Sequence, residues 1–89
     1  MKKVYLQAKF NSKHPEIKSG EWTLAGRHEG YDMDNERDIQ VLVDNAAYYE
    51  RNKEVWNWEI VQTKPAPRIL QENILRKVAK VNDRFYKTN

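Results

Sequence analysis

Residues 55–61, which read VWNWEIV, decide the fold together with the stretch that follows them. Large apolar side chains alternate with other residues here, which predicts a β-strand with one buried face. Pro65 and Pro67 end this strand, and Pro67 suits the first turn of a helix. That helix is predicted to run to about Tyr86, because apolar residues recur every three or four positions. They are Leu70, Ile74, Val78, Val81 and Phe85.

The first half of the chain adds two strands and a helix. Residues 4–10 alternate apolar and polar side chains and predict a half-buried strand. A polar segment at about 11–20 predicts a flexible loop, and 22–25 predict a second strand, paired with the first as an antiparallel hairpin. Residues 36–51 have the apolar spacing of a helix, with Asn35 as its cap. The run 39–43, taken alone, also fits a short strand.

These elements predict a single α+β domain over residues 1–89. Their order is ββαβα, so we expect a three-stranded sheet with both helices packed on one face. Trp22, Trp56 and Trp58 are then expected to lie under the helices, mostly buried. The alternative for Trp56 and Trp58 is an exposed platform that stacks nucleic-acid bases. The tail at about 87–89 is expected to fray.

Composition excludes several classes of protein. The chain has no cysteine, which rules out disulfides and thiolate metal sites. No stretch approaches the roughly 20 apolar residues that a membrane span needs, and the start of the chain lacks the pattern of a signal peptide. We therefore expect a cytoplasmic protein that does not contact membranes. Ten aromatic side chains are enough to fill a small core.

Charge is segregated along the chain. Residues 1–28 carry six basic and two acidic side chains, 29–61 carry three basic and nine acidic, and 62–89 carry seven basic and two acidic. Such blocks can steer a charged partner. They also fit a second interpretation, in which the blocks meet across the fold and neutralise one another.

No complete catalytic, cofactor or metal site is predicted. The acidic run 32–38 resembles a calcium loop in its alternating carboxylates, but Arg37 and Val43 occupy the positions that need glycine and glutamate. The run instead suits the start of a helix. His14 and His28 are the two histidines, and nothing in the sequence brings them together for acid–base catalysis. We therefore predict no enzyme activity, no cofactor and no bound metal.

Three groups of residues are candidate partner contacts. Basic side chains line up beside the apolar stripe of the second helix, which predicts either a contact surface for an acidic partner or a solvated helix face. Of the adjacent tyrosines that end the first helix, one must point away from its apolar stripe. The acidic run supplies the third group. The candidates are Arg76, Lys77, Lys80, Arg84 and Lys87, then Tyr48 and Tyr49, then Asp32, Asp34 and Glu36.

The sequence does not name a reaction or a partner. The leading expectation is a small non-enzymatic module that binds another protein and modulates or inhibits it, such as an accessory factor encoded by a virus. The alternative is a nucleic-acid-binding protein that uses the basic second helix. Steep salt dependence would distinguish phosphate binding from docking on a protein. The oligomeric state is left open.

Overall fold

The structure is a computed structural model, and it describes residues 3–12, 20–62 and 66–86. The described residues form four strands and two helices. They are β1 (Lys3–Phe10), β2 (Thr23–Ala25), β3 (Tyr31–Asp32), α1 (Glu36–Arg51), β4 (Trp56–Val61) and α2 (Arg68–Tyr86). The α+β class and the two helices on one face are confirmed. The described chain has four strands where three were expected.

β1 is the centre of the antiparallel sheet and pairs with each of the other three described strands. β2 and β4 both pair with the segment Leu6–Ala8, so they lie on opposite edges of β1. β3 pairs with the first residues of β1, Val4 opposite Tyr31. β3 was not predicted from the sequence, because two residues have no periodicity of their own and this pairing joins segments far apart in the chain.

The core lies on one face of the sheet. Val4, Leu6 and Ala8 alternate along β1 and are at most 2% exposed. They form one cluster with Leu42 of α1 and Val78 of α2. The molecule is 21 Å thick in its shortest dimension, about the depth of one sheet with one layer of helices. Burial of these aliphatic side chains is the main force that holds the layers together.

α1 begins where the cap was predicted. The side chain of Asn35 accepts hydrogen bonds from the backbone N–H groups of Arg37 and Asp38, which satisfies donors that the first helical turn leaves open. Residues 39–43 lie inside this helix, so the alternative of a short strand is wrong. α1 contacts β1, β3 and β4.

α2 packs mainly on α1. Ile74 and Val78 are buried on the predicted stripe. Asn82, which lies beside them, is also buried, and its Nδ2 donates to the carbonyl of Ala47 while its Oδ1 accepts from Nη1 of Arg51. A buried amide that is bonded on both sides fixes how the two helices meet, because shifting either helix would leave a polar group unsatisfied.

Trp22 is a correction to the expected core. Its side chain is 41% exposed, and Leu24 is 45% exposed, whereas Ala25 is buried. The register explains this, since Ala25 stands opposite Leu6 and directly opposite residues share a face of the sheet. Leu24, one residue earlier, must therefore face the other side, and Trp22, which precedes β2, is exposed as well.

Trp56 and Trp58 lie on the helix side, as expected, but are only half-buried. The Trp56 ring packs edge-on with Phe10 and Tyr49, at centroid distances of 5.6 and 5.2 Å. Trp58 donates from Nε1 to the carboxylate of Glu50 at 2.9 Å. These contacts favour a role in packing over a platform for nucleic-acid bases.

Some expectations fall outside the described residues. They are most of the loop at 11–20, the tail at 87–89 and the packing of Phe85. At the two ends of that loop, Asn11 donates its backbone N–H to the carbonyl of Val55, and Gly20 donates to Phe10, both at 2.8 Å. The described ends of the loop are therefore held against the sheet.

Candidate functional site

A groove of about 420 Å³ lies between α1 and α2 and is the candidate site. Its floor is apolar, with Val43 buried and Ile39 and Val81 half-buried. Its rim is polar and mainly cationic, with exposed basic side chains on the α2 side. The residues that line it are Glu36, Ile39, Gln40 and Val43 from α1, and Lys77, Lys80, Val81 and Arg84 from α2.

The helical repeat explains why these residues share one groove. On α1 the lining positions are 36, 39, 40 and 43, and on α2 they are 77, 80, 81 and 84. Spacings of three and four residues return to the same face of a helix. Each helix thus presents an apolar row next to a polar row, and the groove forms where the two apolar rows stop short of closing on each other.

Three cations and one carboxylate give the groove a net positive charge. Lys77, Lys80 and Arg84 are exposed on one wall, and Glu36 stands on the other. Arg84 also lies in the last turn of α2, where the helix dipole favours a cation. An anionic group that enters the groove would meet these side chains together.

Four of the ten predicted contact residues line this groove: Glu36, Lys77, Lys80 and Arg84. Arg76 is exposed on the same helix but does not line it. Lys87 lies outside the described residues. The basic stripe that the sequence indicated as a row is therefore divided in the structure, with part of it built into the groove and Arg76 outside.

The two tyrosines are placed differently from each other. Their rings pack edge-on at 5.2 Å. Tyr48 is 51% exposed, whereas Tyr49 is half-buried against Trp56. Burial raises the pKa of the Tyr49 phenol, and the neighbouring Tyr48 adds to this. The expectation that one tyrosine points outward fits Tyr48, which does not line the groove.

The acidic run organises the start of α1. Asp32 Oδ1 accepts from the backbone N–H of Asp34, and Asp38 Oδ2 accepts from the backbone N–H of Asp32. Asp38 Oδ1 also bonds to Nη1 of Arg27 at 2.8 Å. The bond from Asp32, followed by that from Arg27, lowers the pKa of Asp38. The hydrogen bonds that these carboxylates accept hold the segment before α1 in shape. Asp32 and Asp34 do not line the groove.

Within residues 3–12, 20–62 and 66–86, no three His, Asp or Glu side chains cluster as metal ligands would. His28 is exposed, and His14 lies outside these ranges. The described residues give the groove an apolar floor and a mainly cationic rim.

The floor of the groove was not predicted from the sequence. Ile39, Val43 and Val81 lie on the apolar stripes of the two helices, and each packs with the core. That their edges also line a groove depends on how the helices cross, and the sequence carries no signal for that geometry.

No protein-family model, curated protein or solved structure matches this chain. Neither α1 nor α2, as described, is long and apolar enough to span a membrane.

Proposed function

We propose that this chain is a small non-enzymatic protein-binding module that receives an acidic, amphipathic helix of a partner protein in the α1/α2 groove. The observation that carries the proposal is an apolar floor bordered by three cations, Lys77, Lys80 and Arg84. A helix that docks in a groove buries its apolar face while its polar flanks meet the rim. Through this contact the module modulates or inhibits its partner.

The charges on the two walls of the groove indicate which charges the partner helix would carry on its flanks. Acidic side chains on the flanks of the docked helix would approach the α2 wall, while Glu36 on the α1 wall would accept a basic residue. Complementary charges at a rim speed association and suppress wrong partners more than they strengthen the complex. Apolar contact with Ile39, Val43 and Val81 would then supply most of the affinity.

The three cations also support a second candidate, nucleic-acid binding. Phosphate groups would be held by Lys77, Lys80 and Arg84, and affinity would fall steeply as salt releases the counterions. The apolar floor favours the protein partner, because phosphates and sugars gain little from contact with Val43 and Val81.

The test compares two charge-reversed proteins of the same helix. Lys80→Glu combined with Arg84→Glu alters the groove, and Arg68→Glu combined with Arg76→Glu makes the same change in net charge at exposed positions outside its lining. The probes are a labelled peptide with leucine on one helical face and glutamate on its flanks, and a labelled single-stranded oligonucleotide. Binding is measured by fluorescence anisotropy at two salt concentrations.

We expect the acidic peptide to bind the wild-type protein and the control, and to lose about tenfold or more in affinity for the groove variant. Val43→Ala and Val81→Ala should weaken binding at both salt concentrations, because apolar contact is little screened. If only the oligonucleotide binds, and with a steep salt dependence, the nucleic-acid function replaces this one. If neither probe distinguishes the groove variant from the control, the groove is not the contact surface.

A further inference from the structure

A second pocket, of about 440 Å³, lies beside Trp58 at the junction of α1, β4 and α2. The positions of α2 that line this Trp58 pocket are 68, 71, 72 and 75, whereas those that line the groove are 77, 80, 81 and 84. At about 100° per residue, the two sets point to opposite sides of the helix. The Trp58 pocket is therefore separate from the site of the proposed function.

The Trp58 pocket combines apolar surface with carboxylates. Trp58 is half-buried, and Leu75 of α2 is 44% exposed. Glu50 brings a carboxylate from α1, and Glu72 brings a second one from α2. Arg68 also lines the pocket, but its side chain is 92% exposed and its Nε already bonds to Glu72 at 2.9 Å. Two negative charges stand against one positive charge, so the pocket has the opposite charge from the groove.

The hydrogen-bond donors of Trp58 and Gln71 are used within the protein. Nε1 of Trp58 donates to Oε1 of Glu50 at 2.9 Å, and Nε2 of Gln71 donates to the carbonyl of Ala66 at 2.7 Å. Both oxygens of a carboxylate accept hydrogen bonds, and so does the side-chain oxygen of glutamine. Glu50, Gln71 and Glu72 therefore keep acceptors for a ligand. An anionic ligand would meet like charge here, whereas a cationic ligand rich in donors is complementary.

We propose that the Trp58 pocket receives an arginine side chain of a partner protein. A guanidinium has five N–H donors, no acceptor and a permanent positive charge, and it stacks on aromatic rings. Tryptophan is the ring that attracts a cation most strongly. The guanidinium would donate to Glu50 and Glu72, while its apolar stem lies along Leu75. The bond between Trp58 and Glu50 holds both groups in place before the ligand arrives, which lowers the entropic cost of binding.

The experiment titrates ¹⁵N-labelled protein at low salt with arginine that is blocked at both its amino and carboxyl groups. The indole N–H signals of the three tryptophans are followed by NMR, and Trp58→Phe identifies the Trp58 signal. We expect that signal to shift in a saturable way, while those of Trp22 and Trp56, which do not line the pocket, stay in place. Blocked citrulline has the same shape without the charge, and its affinity should be about fivefold lower or less.

Two glutamine variants test the carboxylates. Glu50→Gln and Glu72→Gln each remove one charge and keep an oxygen acceptor, and each should weaken arginine binding about threefold. Asp83→Asn is the matched control, because it removes one negative charge at an exposed position of α2 that does not line the pocket. It should leave the affinity for arginine unchanged.

The proposal is overturned if blocked arginine leaves the Trp58 signal in place, or if citrulline binds as tightly as arginine. It is also overturned if both glutamine variants, with spectra that are otherwise intact, bind arginine as the wild type does, or if Asp83→Asn weakens binding equally. The groove and the Trp58 pocket are tested with different probes and different residues, so either proposal can fail without the other.

Discussion

The two faces of the sheet differ in burial, although β1 contributes alternate residues to both. On the covered face, Val4 and Leu6 of β1 are fully buried beneath the helices. On the open face, Tyr5 and Gln7 alternate with them and stay half-exposed, and Gln7 donates a hydrogen bond to Glu59 on β4. One face is covered and apolar, with aliphatic side chains beside the half-buried Trp56 and Trp58, while the other mixes aromatic, amide and charged groups.

The covered face contributes mainly to the stability of the fold, whereas the open face is accessible to other molecules. The covered face has little freedom to change, because a closely packed core loses contacts when a methyl group is removed. The open face and its β2 edge carry Trp22 and Leu24 at little cost to the monomer, so these positions are available for contacts with another molecule. The α1/α2 groove is intermediate, since Val43 is buried beneath an exposed cationic rim.

The largest expected effect is a difference in stability between two substitutions, one on the covered face and one on the open face. Leu6→Ala leaves a cavity at a fully buried position and should lower the free energy of unfolding by about 2–5 kcal/mol. Leu24→Ala changes a side chain that is 45% exposed and should alter it by about 0.5 kcal/mol or less. Urea denaturation at a concentration where both proteins are monomeric measures the difference. Equal losses would show that the open face is covered in solution.

The next largest loss of stability is expected from alanine at two glycines, one near each face of the sheet. Gly26 has φ +65°, and a Cβ there would lie 2.7 Å from Nδ2 of Asn45, a residue of α1. Gly30 has φ +89°, and its Cβ would meet the Tyr5 ring of the open face at 2.8 Å. Alanine at either site should cost about 1–3 kcal/mol.

Gly20→Ala is the control for both glycine variants. Its Cβ would make an ordinary contact with Phe10 Cβ at 3.6 Å, so its melting temperature should stay close to that of the wild type. If Gly26→Ala alone destabilises the protein, Gly30 does not hold the positive φ and the close approach to Tyr5 described above.

The smallest expected effect is on stability at acid pH, and it comes from Asp38 in the first turn of α1. Its pKa is lowered in the folded state by the bond from the Asp32 amide and by Arg27. A lowered folded-state pKa stabilises the protein above the unfolded value of about 3.9, and this stabilisation is lost as pH falls through the folded-state pKa. Asp38→Asn should therefore flatten the acid limb of the stability profile.

Asp44→Asn is the control for Asp38. Asp44 accepts a bond from Gln40 on the exposed side of α1, and its replacement should leave the acid limb unchanged. Stability is measured by urea denaturation from neutral pH down to the acid transition. Parallel profiles for Asp38→Asn and the wild type would contradict the assigned role of this carboxylate.

Most secondary structure was predictable because its signals are local. The alternation at 4–10 predicted β1, the three- and four-residue spacing predicted both helices, and Asn35 was identified as the cap of α1. Tyr31 was missed as a core residue. Its ring is fully buried, and its hydroxyl accepts from Asn45 Nδ2 at 2.7 Å and from the Arg27 amide at 2.9 Å. These partners come from segments that only the fold brings together.

The candidate site was predictable in part. The helical repeat placed Lys77, Lys80 and Arg84 in one row, and the structure sets that row against Glu36. Arg76 belongs to the same basic segment but points elsewhere, since a step of one residue turns about 100° around the helix. A row of charges on one helix does not specify which neighbour it will face.

The sequence by itself determined both helices and the described strands except β3, because periods of about 3.6 and 2 residues are set by local backbone geometry. The tertiary structure alone decided which face of β2 turns toward the core. A slip of one residue in register would exchange the two faces, and the pairing of Ala25 with Leu6 is what turned Leu24 outward. The crossing of α1 and α2 likewise decided that a groove exists, because it depends on how distant side chains such as Asn82 and Arg51 pack together.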